Sequence, residues 1–163
     1  MQNIVFIVLI GIGATLVMDL WALLRQQLFS IAPTNWGMVG RWIGHMSKGR
    51  FSHTSIANAD AVSGEKIIGW TAHYVIGIGY AVLLFLIFGE AWLFEPTLGP
   101  AVVLGIATVI APFFILLPGM GAGVAASKTP NPNAVRLHSV LNHAVFGLGL
   151  YLAALVLRLA LSL

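Results

Sequence analysis

Four long apolar stretches decide what this chain can become. They run roughly over residues 4–24, 67–88, 98–117 and 137–161. Each has about the 20 residues that a helix needs to cross the hydrocarbon core of a bilayer. A backbone in lipid must satisfy its own polar groups, and these runs lack the alternation of barrel strands, so all four are expected as helices. The expected fold class is therefore an all-α membrane protein: a four-transmembrane-helix bundle forming one integral membrane domain over residues 1–163. Composition points the same way. The chain is 59% hydrophobic and 8% charged, whereas a soluble domain carries about a quarter charged residues. Met1, Gln2 and Asn3 bring no basic charge, and the run after them is too long for a secretory signal, so it reads as a retained span.

The loops give the orientation. Arg25, Arg41, Lys48, Arg50 and Lys66 fall in the first connection, and Lys128 and Arg136 in the third. The second connection holds only Glu90 and Glu95, and Arg158 stands alone near the end. By the positive-inside rule the first and third connections are cytoplasmic, which puts both termini outside. Within the first connection an interfacial helix is expected over roughly 35–47, capped by Thr34 or Asn35. Trp36, Val39, Ile43 and Met46 would share its apolar face. Arg41, His45 and Lys48 would lie elsewhere and meet anionic lipid headgroups.

The second and fourth runs share a pattern. His73-Tyr74-Val75-Ile76-Gly77-Ile78-Gly79 and His143-Ala144-Val145-Phe146-Gly147-Leu148-Gly149 have His, Val and two Gly at the same offsets. Gly11 to Thr15 in the first run is echoed more faintly by Gly105 to Thr108 in the third. Two parallel helical-hairpin repeats would produce this, and so would chance in glycine-rich membrane helices. Either way the glycines suit close helix packing.

Ionisable side chains inside a membrane are costly, so they mark interior faces and functional sites. Asp19, His73, His138, Asn142 and His143 all fall in the cytoplasmic half of their runs. Asp19, His73 and His143 form the expected centre of an intramembrane polar site, with His138 and Asn142 beside them. Such a set can bind a divalent metal such as zinc through His73, His143 and Asp19, relay protons, or bond helices together. No H-E-x-x-H or compact ligand spacing supports the metal. Pro112 is expected to kink the third helix, and Pro118 with Gly119, Gly121 and Gly123 to end it. Those glycines with Lys128 would make either an anion-binding loop or a packed turn. Asn131-Pro132 then opens the fourth helix.

The chain has no cysteine, which excludes disulfides and thiolate chemistry. No serine sits in a nucleophile elbow, and no basic run suggests nucleic acid. Catalytic residues stay unassigned.

The segments Gly13 to Trp21, Asn35 to Trp42, Ala111 to Gly123, Thr129 to Pro132 and His143 to Tyr151 resemble a family of small bacterial inner-membrane proteins known only as a domain of unknown function. The resemblance covers nearly the whole chain. It implies a bacterial inner-membrane location and no substrate, cofactor or catalytic residue. Three functions stay open on the sequence. One is a cytoplasm-facing site for a proton, metal or small polar solute, as in a transporter that works as a homo-oligomer. Another is a non-catalytic membrane subunit or lipid-contacting module. The third is a metal-dependent membrane enzyme acting on lipid headgroups.

Overall fold

A computed structural model describes residues 2–161. Six α-helices follow in order: α1 (Gln2–Phe29), α2 (Trp36–Met46), α3 (Glu65–Phe94), α4 (Leu98–Ala107), α5 (Leu117–Met120) and α6 (Pro132–Leu161). Short 3-10 turns occupy Ile56–Asn58 and Val124–Ala126. No strand occurs among the described residues. Among the described residues four helical segments are long and apolar enough to cross a membrane: Asn3–Phe29, Glu65–Phe94, Leu98–Met120 and Pro132–Ala160. Their surfaces are inside-out by the standard of a soluble protein. Leu20, Leu86, Ile110 and Val156 are each 60% exposed or more. Lipid is the solvent in which such faces are stable.

Local chemistry explains the boundaries. Asn35 caps α2 by accepting a hydrogen bond from the Met38 amide at 3.2 Å. Asn131 does the same for α6 through the Ala134 amide, with Pro132 in the first helical position. Gly89 breaks α3 at φ 74°, a left-handed value that favours glycine. Ahead of Pro112, which has no amide hydrogen, the third span leaves α geometry. Pro112–Leu116 is a wider π-helical stretch before α5 resumes.

The chain divides into two compact units. The first comprises Met1–Pro33, Tyr74–Thr108 and Leu141–Leu163, and so holds most of α1, α3, α4 and α6. Its core gathers Ile10, Ala14, Leu84, Leu104, Phe146 and Leu150. In lipid there is little hydrophobic gain from bringing helices together, so close van der Waals packing must hold them. Glycine permits it. A Cβ on Gly11 would lie 2.5 Å from the Ile78 Cα and 3.1 Å from the Gly77 carbonyl. A Cβ on Gly105 would lie 2.7 Å from the Gly147 Cα. The α1–α3 and α4–α6 crossings thus use glycines at corresponding places in the two hairpins. That is what a repeat of hairpins would give.

The second unit comprises Thr34–His73 and Val109–Val140. Here α2 packs on the start of α3 through Gly40 and Gly69, where a Cβ on either would strike the other helix's backbone. Gly37, Val39, Gly40, Trp42 and His45 are buried, while Trp36, Ile43 and Met46 are only partly so. The two glycines make the closest approach, so they set the face, and an apolar-stripe argument cannot weigh them.

Candidate functional site

Among the described residues four hydrogen bonds join side chains on different helices of the first unit. One, from Asn3 Nδ2 on α1 to Glu90 Oε1 on α3 at 2.9 Å, sits at exposed positions near the start of α1. The other three involve polar residues within or at the ends of the apolar runs. The Tyr74 hydroxyl on α3 donates to Asp19 Oδ2 on α1 at 2.9 Å. Arg25 Nη1 on α1 donates to Asn142 Oδ1 on α6 at 2.9 Å. His143 Nδ1 on α6 lies 2.8 Å from the hydroxyl of Thr108, at the end of α4. Together they link the helices in the order α3–α1–α6–α4. Asp19 and Arg25 lie ten and four residues before the end of α1, so ~15 and ~6 Å from it at 1.5 Å per residue.

Asp19, Asn142 and His143, read from the sequence as site residues, all belong to this linked set. His73 and His138 belong to the second unit. His73 is buried, with its ring stacked on Trp36 at 3.9 Å and edge-on to Trp70 at 5.7 Å. His138 buries its Nδ1 without a hydrogen-bond partner. Among the described residues no three His, Cys, Asp or Glu gather closely enough to hold a metal ion. Asp19, His73 and His143 do not form such a group among the described residues.

The glycine segment after α5 is a helix end. Gly121 adopts φ 96°. Its amide donates to the Pro118 carbonyl at 3.1 Å, and the Ala122 amide donates to the Leu117 carbonyl at 2.8 Å. These are the two bonds of a Schellman motif. The Lys128 amide is likewise spent on the Ala122 carbonyl at 2.9 Å. The amides an anion would need at Gly121 and Lys128 are thus already bonded. Gly119 instead packs against the Trp42 indole, and a Cβ on Gly121 would collide with the Thr54 carbonyl. At Gly119 and Gly121 the segment is a tightly packed turn.

Several polar residues carry no signal in the sequence of the contacts they make. By position Arg25 is one of the loop charges. It is only 6% exposed, its guanidinium lies 6.0 Å from the Trp21 ring centroid, and its Nε is buried without a partner. Arg41 is paired within the second unit. It binds Glu65 through two parallel bonds, Nε to Oε2 at 2.8 Å and Nη2 to Oε1 at 2.9 Å. Its Nη1 also donates to the Ala59 carbonyl at 3.1 Å. The hydrogen bond to Glu65 holds the Arg41 guanidinium above its ordinary pKa. Lys48, Arg50 and Lys66 keep exposed positions in this connection.

His45 and His53 form a buried pair in the second unit, with ring centroids 5.0 Å apart. His45 Nε2 meets the Asp60 carbonyl at 2.9 Å, and His53 Nδ1 meets that of Gly119 at 3.4 Å. A carbonyl only accepts, so each of those nitrogens carries hydrogen. The rings clip the connection after α2 to α2 and α5.

A family model described as a protein of unknown function, DUF2938, matches residues 8–157. The chain belongs to this family. In this DUF2938 protein the match takes in α2 to α5 whole and most of α1 and α6, and with them every residue of the linked polar set. No curated protein and no solved structure matches it.

Proposed function

We propose that the protein is an integral protein of the bacterial inner membrane that binds a small polar solute at the cytoplasmic end of its helix bundle. The first and third connections are then cytoplasmic, as their basic residues direct. One observation carries this reading. The bonds Tyr74–Asp19, Arg25–Asn142 and His143–Thr108 tie four helices together with ionisable groups. Simple adhesion between helices would not require them. Glycine contacts already pack these helices, and a carboxylate, a guanidinium and an imidazole in a membrane protein are expensive to retain. Carriage across the membrane is the natural use of such a site.

The test is ligand-induced stabilisation. A solute that binds the folded protein raises its melting temperature by mass action. The purified protein in maltoside detergent is screened against neutral sugars, amino acids, amines, carboxylates and phosphate. At least one class is expected to raise the melting temperature of the wild type and not that of Asp19→Asn. A panel with no effect on the wild type would favour a non-catalytic membrane subunit.

A further inference from the structure

We infer that the polar site takes a phosphate-type oxyanion, held by the free edge of Arg25 and the Trp21 indole; this rests on the solute-binding reading above and names its ligand class. A guanidinium stays charged at any physiological pH and carries five N–H donors in a fixed fork. Arg41 displays the satisfied form of that fork in the same protein, with Nε and Nη2 side by side on the two oxygens of Glu65. Arg25 has no such partner. Its Nη1 is taken by Asn142, its Nε is buried and unbonded, and Nη2 has no hydrogen bond among the described residues. The edge that Arg41 uses thus has no hydrogen-bond acceptor on Arg25, and protein rather than lipid buries the residue to 6% exposure.

A second orphan stands beside it. The Trp21 Nε1 is also buried without a hydrogen-bond partner, one helical turn before Arg25, whose guanidinium approaches the same indole. Indole and guanidinium can only donate. Asn142 spends its oxygen on Arg25, and its amide nitrogen can only donate. The unmet capacity at this place is therefore all donor and carries a positive charge. A tetrahedral oxyanion supplies what is missing: two oxygens for the Nε–Nη2 edge, a third for the indole, and the compensating charge. Depth agrees. α1 has 28 residues, ~42 Å at 1.5 Å per residue, against a hydrocarbon core of ~30 Å. Arg25, in its last turn and a half, reaches headgroup level. The phosphate of a membrane lipid and a soluble phosphate share this chemistry.

The experiment uses the full chain in maltoside detergent, with Arg25→Lys and Trp21→Phe. The first keeps the charge and removes the fork; the second keeps the ring and removes only the indole donor. Inorganic phosphate binding is measured by calorimetry at constant ionic strength. Retention of phosphatidylglycerol and phosphatidic acid is measured by native mass spectrometry. Phosphate binding to the wild type marks a soluble ligand, and phospholipid retention without phosphate binding marks a headgroup. In either case Arg25→Lys is expected to weaken binding by about tenfold or more, the scale of one lost charge-assisted hydrogen bond, and Trp21→Phe by a smaller factor. A wild type that binds neither ligand, or binding equal in all three proteins, would overturn the inference. Stabilisation by a neutral solute that survives Arg25→Lys would overturn it too, while leaving the solute-binding reading in place.

Discussion

Thr108 fixes the tautomer of His143. The threonine hydroxyl lies 2.6 Å from the Gly105 carbonyl, which can only accept, so its single hydrogen goes there. The imidazole Nδ1 at 2.8 Å must then donate to the hydroxyl oxygen. His143 is thereby held with hydrogen on Nδ1. Thr108→Val removes the acceptor at nearly constant volume and leaves that hydrogen the longer contact to Gly105 at 3.3 Å. Thr108→Val is expected to cost about 1 kcal/mol, the scale of an interhelical hydrogen bond in a membrane protein. Thr108→Ser should cost less. Unfolding in mixed micelles measures both, and nitrogen chemical shifts of His143 report the tautomer.

Glycines in the repeated motif should not be equivalent. A Cβ on Gly77 would strike the Thr15 hydroxyl, while one on Gly79 meets nothing within 4 Å. Gly77→Ala is expected to destabilise by about 1–3 kcal/mol, the usual cost of overpacking a close contact. Gly79→Ala should fall within about 0.5 kcal/mol of wild type. The same unfolding assay separates them, and equal costs would contradict the α1–α3 crossing.

Arg41 should organise the connection between α2 and α3. It joins Glu65 to the carbonyl of Ala59, and lysine cannot reproduce a fork that makes both contacts. Arg41→Lys is expected to speed limited proteolysis between residues 50 and 64 several-fold, because local opening governs cleavage. Lys48→Ala, at an exposed position, should leave the rate unchanged.

Orientation can be read directly because the chain has no cysteine. Single substitutions Ser63→Cys, Lys128→Cys and Thr97→Cys give one thiol each in the three connections. A membrane-impermeant maleimide applied to intact spheroplasts is expected to label only Thr97→Cys. The other two should react only once the membrane is opened. The reverse pattern would put the basic connections outside.

Much of this architecture is legible in the residues. The four apolar runs mark the spans, because length and the need to bond the backbone leave few alternatives. Asn35, Pro112 and Gly121 act locally, so their effects on helix ends can be anticipated. The site was legible only in part. Asp19, Asn142 and His143 stand out as polar residues in apolar runs. Arg25 does not, because a basic residue at the end of a span ordinarily marks a loop. Its burial depends on Asn142, 117 residues away, and no local pattern carries that. His45 and His53 are hidden for the same reason, since their partners include Gly119 in a distant segment. The contact of α2 with α3 is hidden too, because Gly40 and Gly69 meet by close backbone approach, which carries no hydrophobic signal.

A polar site open to the cytoplasm is tested most directly by thiol accessibility at Asn142. Asn142→Cys is placed in the cysteine-free chain, with Leu152→Cys on an exposed apolar position of the same helix as the control. A small charged methanethiosulfonate is applied to inside-out and right-side-out membrane vesicles. A hydrated cytoplasm-facing site predicts that Asn142→Cys reacts at least about tenfold faster in inside-out vesicles, and that Leu152→Cys stays inert in both, since the reagent cannot reach thiols in lipid. An Asn142→Cys thiol as inert as the control, or faster from the outer face, would contradict the site.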